Sequence, residues 1–168
     1  MPIIQVAHKH QTKANDCWYA CIQMIRSTKL GQKTKAAGAD AAYLHRGLLG
    51  HRLSTGGSKM AGVMADNNLK DITAEFDLGD INTIQMVLNK YGPFMIGGDY
   101  GSITNLFTKH VSALRTLGHY IVVAGTDAAT DKVWIHDPMV TGGKWMGRAM
   151  LEQLCWGQQY SEVVLVAR

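Results

Sequence analysis

Two apolar runs in the second half of the chain constrain the fold most. One starts at His119 and continues through residues 120–124, and the other is Lys132–His136, with small and polar residues between them. Apolar runs on either side of a short polar loop predict an antiparallel β-hairpin. A loop centred on Ala128 would place His119 directly opposite Asp137, at a separation that a hydrogen bond between imidazole and carboxylate can span.

A cysteine at the start of a predicted helix is the second informative feature. Asn15 or Asp16 can cap this helix, which is predicted over residues 16–27, so that Cys17 falls in its first turn. Apolar residues recur at helical spacing and give the helix a buried face: Trp18, Ile22 and Ile25. The unpaired amides and the dipole of a first turn favour a negative charge, so Cys17 is placed to act as a thiolate nucleophile.

A glutamine and one of two histidines complete the set of candidate catalytic side chains. Gln11 lies six positions before Cys17. Its side-chain amide, together with the backbone N–H of Cys17, could donate to the negative charge that develops on a carbonyl oxygen under attack. His110 is the chief rival to His119 as the base, but the residues around His110 offer no acidic partner.

The order of these residues carries a resemblance to a known family. A glutamine six residues before a Cys-Trp helix start, a distant histidine that opens an apolar strand and an Asp-Pro pair after a hairpin resemble the papain-like cysteine peptidase superfamily. The similarity is greatest to its compact bacterial branches, the leader-peptide-cleaving peptidases of bacteriocin exporters and the effector proteases of pathogens. The resemblance implies that Cys17 is the nucleophile, His119 the general base and acid, Asp137 the group that orients the imidazole, and Gln11 the oxyanion donor.

The resemblance also implies an α+β, papain-like fold in a single domain over residues 1–168. A helical N-terminal lobe, about residues 1–78, is expected to pack against an antiparallel β-sheet C-terminal lobe, about residues 79–168. Sequence patterns predict further helices over residues 34–49, 58–68, 80–91 and 148–156. They predict further strands over residues 3–6, 69–76, 94–98 and 162–167.

Charge and cysteine content restrict the classes of partner and compartment. The 168 residues carry 17 basic and 13 acidic side chains, and the basic residues do not cluster with aromatic ones, so nucleic acid is not an expected partner. No apolar run reaches the 18 residues typical of a membrane span, and the N-terminus has no secretory signal pattern. Three cysteines are too few for a disulfide scaffold. These observations predict a cytoplasmic protein or one exported by a dedicated secretion system.

The favoured function is hydrolysis of a peptide bond through a thioester, without a metal or an organic cofactor. The substrate would be a protein or peptide, and the resemblance allows a role as a secreted effector or toxin with an immunity, inhibitor or activator protein as a further partner. A first alternative keeps the Cys-His pair but makes the protein a peptidoglycan amidase or a protein deamidase. A second alternative is a non-catalytic interaction module, in which four residues could bind zinc: His8, His10, Cys17 and Cys21.

Overall fold

The computed structural model describes residues 3–12, 16–30, 58–98, 119–156 and 164–168, which form an α+β structure. Its four helices are α1 (Cys17–Leu30), α2 (Ser58–Asp66), α3 (Ile81–Tyr91) and α4 (Arg148–Trp156). Its strands are β1 (Leu69–Asp71), β2 (Phe94–Gly98), β3 (His119–Asp127), β4 (Lys132–His136), β5 (Gly143–Gly147) and β6 (Val164–Ala167). None of the helices in these ranges is long and apolar enough to cross a membrane.

The six strands form one antiparallel sheet in the order β1-β6-β2-β3-β4-β5. Successive side chains of a strand point to opposite faces, so Phe94 and Ile96 enter one core and Met95 enters another. Helices α3 and α4 cover the first face, while α1 and α2 cover the second. The start of β3 and the start of α1 therefore belong to the same packed unit, which is the basis of the site described below.

The sheet draws strands from both parts of the chain. Strand β1 comes from the range predicted as the helical lobe, yet it pairs with β6 near the C-terminus. All four residues of β6 are buried between β1 and β2, as expected for a strand of continuous apolar composition. The division into two lobes within one domain stays a prediction.

Helix α3 shows how local sequence signals fix an element. The side chain of Asp80 accepts a hydrogen bond from the backbone N–H of Asn82 at 2.9 Å, so it caps the first turn as its residue type predicts. Three residues at core spacing are buried: Ile84, Val87 and Leu88. The helix ends at Gly92, whose φ of 82° is a left-handed conformation that glycine adopts without strain.

The strands predicted from sequence differ from those of the structure in three places. Residues 3–6 do not form a strand; within them, the backbone N–H of Ile4 donates to the carbonyl of Ala124 at 2.8 Å. We call residues 3–12 the N-terminal arm. The predicted strand 69–76 stops after Asp71, because the Asp71 carboxylate accepts from the backbone N–H and the hydroxyl of Thr73 and starts a 3₁₀ turn there.

Strand β5 has no counterpart among the predicted strands. It contains two glycines and a lysine in five residues, which is not a typical strand composition. The predicted helix over residues 34–49 and the rival base His110 lie outside the described residues.

The hairpin of β3 and β4 forms, but not in the predicted register. Val122 pairs with His136 and Val123 with Ile135, whereas Gly125 pairs with Trp134. Ala124 is therefore an extra residue in β3, a β-bulge, and its carbonyl accepts the bond from the N-terminal arm. The predicted direct opposition of His119 and Asp137 is wrong. Continued past the strand, the observed register sets position 137 opposite position 121, diagonally across from His119 on the same face.

Candidate active site

Cys17 lies where the sequence predicts it, in the first turn of α1. The backbone N–H of Ala20 donates to the carbonyl of Asp16 at 3.1 Å, which makes Asp16 the residue that precedes the helix. The Thr12 hydroxyl donates to the Asp16 carboxylate at 3.4 Å and connects the N-terminal arm to this helix start. Cys17 is only 4% exposed, so its sulfur faces an environment in which charges interact strongly.

His119 and Asp137 form a buried pair. His119 Nε2 lies 2.7 Å from Asp137 Oδ1, and each side chain is 8% exposed. The same carboxylate oxygen accepts the backbone N–H of Met139 at 2.8 Å, which fixes the carboxylate independently of the histidine. The diagonal arrangement in the hairpin is sufficient for the contact although the two residues are not direct partners.

The second neighbour of the imidazole is the sulfur of Cys17. Burial alone would lower the pKa of His119, but the charge of Cys17, the hydrogen bond to Asp137 and a side-chain hydrogen bond to Cys17 together raise it to about 10. Because Nε2 is engaged by Asp137, the other ring nitrogen, Nδ1, is the one left for Cys17. The protonated form of His119 is therefore favoured at neutral pH.

Asp137 stays ionised despite its burial. Burial alone would raise the pKa of this carboxyl, but the hydrogen bond and charge of His119, the backbone N–H of Met139 and the charge of Lys144 lower it. Lys144 lies on β5, opposite Ile135, and burial lowers its own pKa more than Asp137 raises it. The negative charge beside His119 is thus maintained by several partners.

Gln11 is fastened close to this pair through its backbone. Its N–H donates to the carbonyl of Pro138 at 3.1 Å, one residue after Asp137. The side chain is partly buried. Four residues that are far apart in sequence are thus brought to one region by α1, the first residue of β3, the end of β4 and the N-terminal arm: Gln11, Cys17, His119 and Asp137.

Two further side chains near Cys17, those of Cys21 and Tyr120, are buried with raised pKa values. Cys21, one helical turn later, is fully buried; burial, followed by the charges of Cys17 and Asp137, raises the pKa of its thiol well above the ordinary value. Tyr120 lies against the glycine at position 97, where a Cβ would come within 2.8 Å of its ring. Burial and the two cysteines also raise the pKa of the Tyr120 phenol. Both groups are therefore neutral at neutral pH.

The histidines near the N-terminus do not join the cysteines in a metal site. His8 Nδ1 lies 3.3 Å from His136 Nδ1, and His10 Nε2 lies 3.3 Å from the Thr141 hydroxyl. Throughout the described ranges, no group of three or more His, Cys, Asp or Glu side chains is arranged to hold a metal ion. The zinc interpretation of these histidines with Cys17 and Cys21 therefore finds no support. His8 is half-buried against His136.

Comparison with models of protein families gives a match over most of the chain. The model of a family described as the Peptidase_C39 like family matches residues 3–164. The match covers all four candidate catalytic residues and each of the described helices. The comparison with curated proteins found no match.

Proposed function

Since the chain belongs to the Peptidase_C39 like family, which it matches over residues 3–164, we propose that it hydrolyses a peptide bond through a thioester formed on Cys17. In this proposal His119 is the general base and acid, and Asp137 orients its imidazole. Gln11 and the backbone N–H of Cys17 donate to the oxyanion. The substrate is a protein or peptide.

The contact chain from Cys17 through His119 to Asp137 is the observation that carries the proposal. A nucleophile, a base and a group that orients the base are the three parts of a covalent hydrolase, and here they are buried together and linked by hydrogen bonds. A buried histidine paired with a carboxylate alone would be a structural feature. The thiol at a helix N-terminus beside the same histidine supports the catalytic interpretation.

Acylation follows from this geometry. The proton of Cys17 resides on His119 Nδ1, and the thiolate attacks the carbonyl carbon of the substrate to form the S–C bond. The oxyanion then accepts hydrogen bonds from the Cys17 amide and the Gln11 side chain. As the C–N bond breaks, His119 gives its proton to the leaving amine. His119 Nε2 donates to Asp137 throughout, which keeps the ring in one orientation.

Deacylation uses the same residues in reverse. With the amine gone, neutral His119 accepts a proton from a water molecule, which attacks the thioester carbon. The S–C bond breaks, the carboxylate product leaves and the thiolate-imidazolium pair is restored. Cys21 does not compete as a nucleophile, because its raised pKa keeps it a protonated thiol.

Replacing Gln11 with alanine is expected to lower kcat by about 10²-fold with little change in KM, because one oxyanion donor is lost in the transition state only. Steady-state kinetics on a cleaved peptide measures this. Gln5→Ala is the matched control, since Gln5 is an exposed glutamine of the same N-terminal arm and should leave kcat within about twofold. Equal losses in both variants would contradict the role of Gln11.

The choice between a peptidase and an amidase is made by parallel substrate assays. The purified protein is incubated with a peptide library made from a proteome and, separately, with cell-wall sacculi, and the products are identified by mass spectrometry. We expect cleaved peptide bonds, blocked by an epoxide thiol inhibitor that modifies Cys17, which lies at the start of α1 beside His119, and spares Cys21 and Cys155. Release of wall fragments without peptide cleavage would favour the amidase, and modification of side-chain amides would favour the deamidase.

A further inference from the structure

A row of ring nitrogens next to the candidate site has no part in the reaction described above. Trp134 Nε1 donates to His136 Nε2 at 3.3 Å, and His136 Nδ1 lies 3.3 Å from His8 Nδ1. We call these three residues the tryptophan–histidine chain. His136 is 7% exposed, and its backbone immediately precedes Asp137, while His8 belongs to the same arm as Gln11. The chain therefore connects the two segments that carry Gln11 and Asp137.

The position of each hydrogen in this chain follows from the tryptophan. An indole N–H can only donate, so His136 Nε2 must be the unprotonated acceptor. In a neutral His136 the proton is then on Nδ1 and is donated to His8 Nδ1, which accepts it. A second proton breaks one of these two hydrogen bonds. A proton on His136 Nε2 would face the N–H of Trp134, and a proton on His8 Nδ1 would face the N–H of His136.

The indole is held in the required orientation by the facing strand. Gly143 of β5 pairs with His136, and a Cβ at Gly143 would overlap the indole of Trp134. The indole also makes an edge contact with Trp145 on β5, with ring centroids 5.3 Å apart. Trp134 therefore cannot turn its N–H away from His136 without displacing β5 side chains.

From these contacts we propose that His136 is a positioning residue, which in its neutral form holds the N-terminal arm, and with it Gln11, against the loop that carries Asp137. This inference rests on the proposed function for its catalytic consequence. The arm is otherwise fastened near the site by the backbone bond from Gln11 to Pro138 and by the contacts of His10 with Thr141 and of Thr12 with Asp16. Loss of the hydrogen bonds in the tryptophan–histidine chain loosens Gln11, the oxyanion donor, while Cys17, His119 and Asp137 stay in place.

The electrostatic surroundings keep both histidines of the chain neutral at neutral pH. Burial, then the neighbouring His10, lowers the pKa of His8 from 6.5, and Asp137 and the backbone of Val140 oppose this without reversing it. Burial, then His8, lowers the pKa of His136. Lys144 on β5 faces Asp137 and partly offsets its charge.

The sign of the pH dependence follows. When the arm is detached, His8 is no longer packed on His136, so the pKa of each ring rises from its lowered value towards 6.5. Attachment is therefore fully favoured above pH 6.5 and is lost as the pH falls below it. His119, with its pKa of about 10, does not titrate in this range. We expect kcat to fall on the acid side as the arm detaches, with a loss that can approach the ~10²-fold cost of removing one oxyanion donor.

Two variants should move this acid limb to lower pH. His136→Asn supplies an amide that can donate to neutral His8 and accept from protonated His8, so its limb should lie at lower pH than in the wild type. Trp134→Phe removes the N–H that fixes the His136 tautomer, so His136 can carry its proton on Nε2 and accept from protonated His8 at Nδ1, and its limb should also lie at lower pH. Gln5→Ala is the control on the same arm, because Gln5 is exposed, and its limb should coincide with that of the wild type.

The experiment measures kcat and KM from pH 4.5 to 8.5 for the wild type and the three variants, and hydrogen exchange at the Gln11 amide in the same range. The expected result is an acid limb in kcat that lies at lower pH in His136→Asn and Trp134→Phe than in the wild type and Gln5→Ala, with a parallel loss of Gln11 protection. Limbs that coincide in all four proteins, with constant Gln11 protection, would overturn the proposal. If Cys17-dependent turnover is absent, the proposed function fails, and the exchange data alone decide whether the tryptophan–histidine chain holds the arm.

Discussion

Replacement of Cys17 by alanine is expected to reduce hydrolysis by at least about 10⁴-fold, because no other described group can form the thioester. Cys21 is fully buried and its raised pKa keeps it a thiol, so it does not substitute one helical turn away. Labelling by an epoxide thiol inhibitor, which adds one adduct mass to the wild type, should disappear in the same variant. Rates of peptide cleavage and intact-protein mass spectra give both results.

The control for this experiment is Cys155→Ala. Cys155 is buried in the core on the opposite face of the sheet from Cys17, among side chains of α3 and α4. Its removal should leave kcat/KM within about threefold, since any effect is on packing. Cys17→Ala that retained more than a few per cent of wild-type turnover would exclude the thioester mechanism.

Removal of the Asp137 carboxylate is expected to produce the second large effect. In Asp137→Ala the buried His119 Nε2 loses its acceptor at 2.7 Å, so the ring is no longer held with Nδ1 towards Cys17. We expect kcat to fall by about 10³-fold, with KM nearly unchanged. The Met139 amide also loses its acceptor, so the circular dichroism spectrum and melting temperature are measured alongside the kinetics.

Asp137→Asn separates the hydrogen bond from the charge. The amide oxygen can still accept from His119 and from the Met139 N–H, so kcat should recover to within about tenfold of wild type. The charge and charge-assisted bond of Asp137 help to raise the pKa of His119 to about 10, so their loss lowers that pKa. Since the imidazolium is the reactive form, the alkaline limb of kcat/KM should move to lower pH.

An aspartate-to-asparagine substitution at an exposed position provides the control for Asp137→Asn. Asp77 is exposed, and its Oδ1 accepts the backbone N–H of Gly79 at 2.8 Å, a bond that an asparagine oxygen can also accept. Asp77→Asn should therefore leave both the rate and the alkaline limb unchanged. An alkaline limb that stays in place in Asp137→Asn would mean that Asp137 does not set the protonation of His119.

Local sequence patterns were sufficient for much of the fold. The apolar spacing predicted the helices α1, α3 and α4, and at α3 the Asp80 side chain marks the start of the helix. Strand β5 was missed because its pairing with β4 depends on a tertiary fit: Gly143 is required by the indole of Trp134 and not by any local propensity. Tertiary packing overrides propensity most often in short edge strands of this kind.

Part of the candidate site was predicted from sequence, because side chains alternate between the two faces of a strand. The predicted register was wrong by two residues near His119, an even number, so His119 and Asp137 kept a common face and met diagonally. The backbone bond from Gln11 to Pro138 and the contact of His8 with His136 had no local signal, because residues 3–12 have neither helical nor strand geometry.

The bulge at Ala124 determines where this hairpin can change its length. Deleting that residue would leave an uninterrupted ladder with His119 on its present face, but it would remove the carbonyl that accepts the backbone N–H of Ile4, whereas gain or loss of one residue between the bulge and position 119 would turn His119 to the opposite side of the sheet. Insertions in the turn after Asp127 would alter neither. Among related sequences, evolutionary gain and loss of residues should therefore accumulate at the tip of the hairpin, while the count between position 119 and the bulge stays constant.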